Sequence, residues 1–207
     1  MCYDAKTSIG TFLFVSAAAV YLWMRNGITD RAIGLILVSI CFIQLAEFII
    51  WTHLGPTPEN HLVSALIPLL LYLQPLLISF IMWVFKAGLY PEFYKFVLYG
   101  SLAFLPIFLY YLSQMYKPLS YSVIGPKGHL EWPSSDFKST LFGNISLALY
   151  VFIILLMFAT LKNRALAIVF LIGYGISGLY YKLYYDRDWG SVWCHSANAM
   201  TVAALLF

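Results

Sequence analysis

Charge is what this chain has least of: Asp, Glu, Lys and Arg make up 10% of its 207 residues. Soluble domains carry about a quarter charged residues. A domain of this size also keeps too large a surface fraction to hide so much apolar area. The scarcity therefore excludes an ordinary water-soluble fold. With a net charge of only +3, no basic surface of the kind that binds nucleic acid is available. Cysteine is scarce too, with three residues and no Cys-x-x-Cys pair, so no recognised zinc spacing is present. The last apolar segment contains no lysine, which excludes retinal held as a Schiff base. No small-residue cleavage site follows the polar start Met1 to Lys6, so the first apolar stretch reads as a permanent span rather than a removed signal.

Apolar residues fill the space that charge leaves. They make up 62% of the chain, with 16 Tyr, 16 Phe and 6 Trp, and aromatic rings settle at membrane interfaces. A helix needs about 20 residues to cross the ~30 Å hydrocarbon core. Seven segments fit: Ser8–Met24, Ala32–Thr52, Leu62–Phe85, Phe93–Leu112, Leu141–Leu161, Ala165–Tyr185 and Gly190–Phe207. The expected fold is an all-α, seven-transmembrane helix bundle forming one domain over residues 1–207, with its N-terminus outside. The final segment is still apolar at Phe207, so a longer polypeptide is expected.

Orientation rests on basic residues in short loops. Loops one, three and five carry Arg25, Arg31, Lys86, Lys95, Lys162 and Arg164; the opposite face also holds six basic residues, but Lys117, Lys127 and Lys138 lie in the long fourth loop, so the short loops place one, three and five in the cytoplasm. The fourth loop, residues 113–140, is then outside. Within it Tyr121-Ser-Val-Ile124, Gly125-Pro-Lys-Gly128 and His129-Leu-Glu-Trp132 read as a short β-hairpin, either a cap on the bundle or a lid over an outward-facing cavity.

Two motifs carry no chemistry. Gly173-Tyr-Gly-Ile-Ser-Gly178 spells a dinucleotide fingerprint but lies inside an apolar span with no strand before it, so its glycines are expected to admit a neighbouring helix. Asn144-Ile-Ser146 is a glycosylation sequon at the start of span five, out of easy enzymatic reach.

Polar residues inside the spans are the candidate site. Glu47 is the only acid well within a span, and charges at membrane depth face a bundle interior or cavity. Gln44 and Trp51 share its helical face, and Cys41 extends that stripe inward, where it packs as a small hydrophobe. Gln74 precedes Pro75 in span three, where the missing amide frees a carbonyl. His195 and Asn198 share a face of span seven, with His195 at a depth near Glu47. This set, Gln44, Glu47, Trp51, Gln74, His195 and Asn198, is expected to line a ligand-binding cavity. The competing reading is a set of interhelical hydrogen bonds. Cys2 and Cys194 are candidates for a disulfide if spans one and seven are neighbours. The alternative is a metal site built on Cys2, Cys194 and His195. All four histidines, His53, His61, His129 and His195, fall on the outer half.

Met1-Cys2, the Gln44/Glu47/Trp51 stripe, Gln74-Pro75, Gly128-His-Leu-Glu-Trp132 and Trp193-Cys194 together resemble a poorly characterised family of small multi-span membrane proteins of large DNA viruses, algae and other eukaryotes. The resemblance implies that these positions belong together, and that a viral or cellular membrane is the protein's home. Seven-span hydrolases of the ceramidase and adiponectin-receptor type fit less well, since His195 is the one histidine inside a span. Three functions follow, in order: a transporter, channel or small-ligand receptor for a solute or ion; a structural protein, for example of a viral internal membrane contacting capsid proteins; and a membrane metalloenzyme.

Overall fold

The computed structural model describes residues 4–115, 120–133, 141–176, 179–180, 183 and 196–207. Its helices are α1 (Ala5–Met24), α2 (Ile28–Thr52), α3 (Pro58–Val84), α4 (Pro91–Met115), α5 (Leu141–Ala159), α6 (Arg164–Leu171, continued by a π turn at Ile172–Ile176) and α7 (Ser196–Leu206); a two-stranded sheet pairs β1 (Val123–Ile124) with β2 (Leu130–Glu131). Four of these, α1 to α4, are long and apolar enough to cross a membrane, as the apolar helices of a membrane-embedded protein must be.

Most helices start before the apolar segments that announce them, and in three of them a polar cap holds the loop in the first turn. Asp4 accepts the Thr7 amide at 2.7 Å, and this bond holds its carboxyl below the ordinary value of 3.8. Thr57 accepts the Asn60 amide at 3.2 Å, with Pro58 at the first helical position, where its missing N–H costs nothing. Asn163 does the same for Leu166 at 3.2 Å. Span six departs further from the uninterrupted helix expected of it, since α6 gives way to a π turn containing Gly173 and Gly175.

Consecutive helices α1 to α4 pack as antiparallel neighbours, and α7 lies against α1, α2 and α6. α2 is the innermost of the long helices, buried on most of its surface, and α4 the most peripheral. α1 turns the stripe Ser8, Thr11, Val15, Ala18 and Leu22 inward, the 3–4 spacing of one helical face. A central apolar cluster joins Leu22, Ile36, Ile78, Phe158, Phe170 and Met200 from six helices.

The two ends of the bundle differ. At one end the basic loops meet. The Trp23 ring lies 6.4 Å from Phe85 edge-on, and Arg25 pairs with Asp30 at 2.9 Å while donating to the Leu205 carbonyl at 3.2 Å. Gly88 forms an antiparallel bridge to Leu161. At the other end, the loop after α2 meets the hairpin. Asn198 at the start of α7 donates to Thr11 near the start of α1 at 3.1 Å. With Arg25 and Leu205 meeting at the far end, α1 and α7 run parallel. Loops one, three and five thus share one end and loop two the opposite one, the partition read from the sequence.

Candidate functional site

The hairpin is the element that closes the second end. Gly125-Pro-Lys-Gly128 makes a turn with the Gly128 amide donating to the Gly125 carbonyl at 3.0 Å. Gly128 has φ 79°, a conformation that costs glycine little, and the Gly125 amide then bonds the His129 carbonyl at 2.7 Å. The paired strands are two residues each, shorter than the flanking four-residue runs of the sequence. Leu130 and Trp132 enter an apolar cluster with Ile43, Ala46 and Ile50 of α2 and Val63 and Ile67 of α3. The hairpin is therefore wedged into the mouth between α2 and α3, beside the turn of α2 that carries Glu47.

A buried latch holds the wedge. Asn60 donates to the Gly55 carbonyl at 3.1 Å and to the Ser122 carbonyl at 3.0 Å. Its Oδ1 accepts the Ser122 amide at 2.9 Å and the Ser64 hydroxyl at 2.8 Å. The Ser64 and Ser122 oxygens are 2.6 Å apart. All three side chains are buried, so the bonds joining them are made away from competing water, while the bond to Gly55 is part-buried. His61 adds a bond from Nδ1 to the Ser120 carbonyl at 2.6 Å. His53 and His61 flank the loop after α2 and buried His129 lies in the hairpin, so the described histidines do gather at one end.

Below the hairpin lies the polar stripe of α2. Gln44 Nε2 donates to Glu47 Oε2 at 3.0 Å, and both side chains are fully buried. Trp51 shares the face, its indole Nε1 buried without a hydrogen-bond partner among the described residues. Cys41 is buried as a free thiol, its Sγ 3.8 Å from the Thr11 carbonyl.

Gln74 belongs to a second polar group. Its amide reaches the Ile40 carbonyl at 3.4 Å, one turn inward of Gln44, and its Oε1 accepts from Tyr150 of α5. Since Tyr150 spends its proton there, Tyr174 of the π turn donates to the Tyr150 oxygen, 2.9 Å away. A chain of polar groups thus ties α2, α3, α5 and α6 together beside Pro75, and Ser79 Oγ bonds the Pro75 carbonyl at 2.5 Å. π turns occur disproportionately at functional sites. Helix approach does not require glycine at either position: an added Cβ would stand 3.7 Å from Met200 at Gly173 and 3.6 Å from Leu155 at Gly175. Both are ordinary contacts, which corrects the expectation that a neighbouring helix needed them small.

Asn198 faces α1 through Thr11 and forms no bond to Gln44 or Glu47. His195, Cys2 and Cys194 lie outside the described residues, so the disulfide and the metal site proposed on them do too. Among the described residues no three His, Cys, Asp or Glu side chains gather as metal ligands would. Sequence reasoning missed Asn60, Ser64, Ser122, Tyr150, Tyr174, Ser8 and Thr11. The one available signal was the i, i+4 pair Asn60 and Ser64 beside an apolar run. No family model, curated protein or solved structure matches the chain, so the residues and their geometry carry the functional reading.

Proposed function

We propose that this protein is a seven-span membrane protein that binds or moves a small solute or ion, reached from the hairpin end, as a transporter, channel or receptor. The observation that carries the reading is Glu47, a fully buried carboxylate hydrogen-bonded by a fully buried amide. An ionised carboxylate is expensive away from water unless a cation or hydrogen bonds compensate it, and polar groups at membrane depth are what replace a solute's hydration shell. The N-terminus is outside in this reading, supported by the basic residues that collect where loops one, three and five meet. The kinship with small membrane proteins of large DNA viruses and algae belongs to the same proposal. So does a Cys2–Cys194 disulfide, favoured by α1 and α7 starting side by side.

The test is flux. Protein is reconstituted in liposomes loaded with dyes for H+, Na+ and K+, and wild type is compared with Glu47→Gln. Saturable flux of one cation, reduced tenfold or more by the substitution on the order expected for loss of a charged ligand, supports the reading. Equal rates in wild-type and empty vesicles for all three cations contradict the cation-transporter and cation-channel forms of it. A structural membrane protein is the second reading, favoured by how completely the Asn60–Ser64–Ser122 latch is bonded; it predicts that null result.

A further inference from the structure

The end of the bundle opposite the hairpin carries positive charge that the fold leaves unneutralised. Loops three and five are joined there through their backbones. The Lys162 amide donates to the Ala87 carbonyl at 3.0 Å and the Leu89 amide to the Thr160 carbonyl at 2.9 Å, around the bridge between Gly88 and Leu161. Lys86, Lys162 and Arg164 thus stand about one short, fixed piece of paired backbone, and all three are exposed. The acids of this end are engaged elsewhere, Asp30 with Arg25 at 2.9 Å and Glu92 with Lys95 at 3.8 Å. Arg164 gives one bond to the Ala159 carbonyl at 3.2 Å, but among the described residues no carboxylate pairs with any of the three. The C-termini of α3 and α5 meet the N-termini of α4 and α6 here. Their opposed dipoles offset, so the side chains set the sign of the surface.

Two further features describe what this surface fits. Lys86 has φ 51°, just past α3, where the Ala87 amide closes the helix onto the Met82 carbonyl at 3.2 Å. Glycine most often fills such a position, yet here it carries a charge. Beyond Arg164, Ile168 and Ile172 follow at four-residue steps along α6, and both are exposed. A cation therefore heads an apolar stripe on one face of that helix. A ligand matched to both parts has a negative head and a hydrocarbon tail.

We propose that loops three and five form a binding surface for an anionic phospholipid, its phosphate met by Lys86, Lys162 and Arg164 and its acyl chains lying along Ile168 and Ile172. With loops one, three and five in the cytoplasm, the orientation proposed for the chain, the facing leaflet is the one rich in anionic lipid. The surface rests on the membrane reading and not on any solute carried past Glu47.

The experiment places the full chain in phosphatidylcholine liposomes at low salt and follows energy transfer from its tryptophans to pyrene-labelled phosphatidylglycerol. Pyrene-labelled phosphatidylcholine is the reference. Each cation at an anionic lipid contributes about fivefold in affinity, so phosphatidylglycerol is expected to be preferred on the order of a hundredfold. Lys86→Gly combined with Lys162→Gln should cut that preference about thirtyfold. Lys86→Gly relaxes the positive φ and is expected to fold, and alone it should cost about fivefold. Lys127→Gln, at the hairpin end, should change nothing. Equal association of the two lipids, a preference that the double variant keeps within about twofold, or an equal loss in Lys127→Gln would overturn the surface. Excess glycerol phosphate in solution should not displace the lipid; full displacement would also overturn it, by assigning the three cations to a free phosphate.

Discussion

Replacing Asn60 with alanine should release the hairpin from the bundle. The side chain makes four bonds, to Gly55 O, Ser122 O, Ser122 N and Ser64 Oγ. At about 1 kcal/mol net each the upper bound is about 4 kcal/mol. Two partners retain a second bond, since the Ser122 amide still reaches Ser64 Oγ at 3.0 Å and the two serine oxygens still meet at 2.6 Å. The carbonyls of Gly55 and Ser122 lose Asn60 outright. A loss of about 3 kcal/mol follows, which is roughly a hundredfold rise in the open population. Hydrogen–deuterium exchange with mass spectrometry reads it directly. In a peptide covering residues 120–132, the Ser122 and Gly125 amides should exchange about a hundredfold faster, while peptides from α5 should not change. Acceleration of less than about threefold would refute the idea that this side chain holds the hairpin, and would assign the work to Leu130 and Trp132.

Three further outcomes are expected. Gly88→Ala places a Cβ 1.9 Å from the Tyr94 hydroxyl, which is itself bonded to Thr160 Oγ1 at 2.7 Å; a destabilisation of about 2–4 kcal/mol should appear as a lower Tm, relieved in part by Tyr94→Phe. Tyr150→Phe breaks bonds to both Gln74 and Tyr174 and should cost about 2 kcal/mol, against about 1 kcal/mol for Tyr174→Phe; equal losses would contradict the place of Tyr150 as the link between Gln74 and Tyr174. Asp4 has its pKa lowered by the bond from the Thr7 amide, so its contribution to the first turn of α1 is present above the unfolded value of 3.8 and is lost as pH falls through the lowered folded value. Relative to its intrinsic rate, exchange of the Thr7 amide should accelerate on acidification through that range, and Asp4→Asn should remove the pH dependence.

What the sequence showed and what it hid divide along a physical line. Spacing within one helix is local, so the shared face of Gln44, Glu47 and Trp51 was legible. Turn chemistry is local too, so Gly125-Pro-Lys-Gly128 announced the hairpin. The latch depends on residues about 60 positions apart in the chain, and neither Asn60 nor Ser122 advertises the other. Tyr150 and Tyr174 were hidden for another reason: a tyrosine in an apolar helix reads equally well as an interface anchor, and only the neighbouring helix reveals the hydroxyl's partner. The π turn in α6 has no local signature beyond glycines that looked like packing residues. Which loops share an end was legible from the span boundaries alone, because the chain reverses at each span.

The most direct test of the polar core is a density map of the protein in lipid nanodiscs at side-chain resolution. Ordered water or ion density beside the Glu47 carboxylate, with a polar path from it to the hairpin end, is the predicted result. A dry interior in which Gln44 and Glu47 contact only apolar side chains and one another would contradict the account, leaving the bundle a structural one.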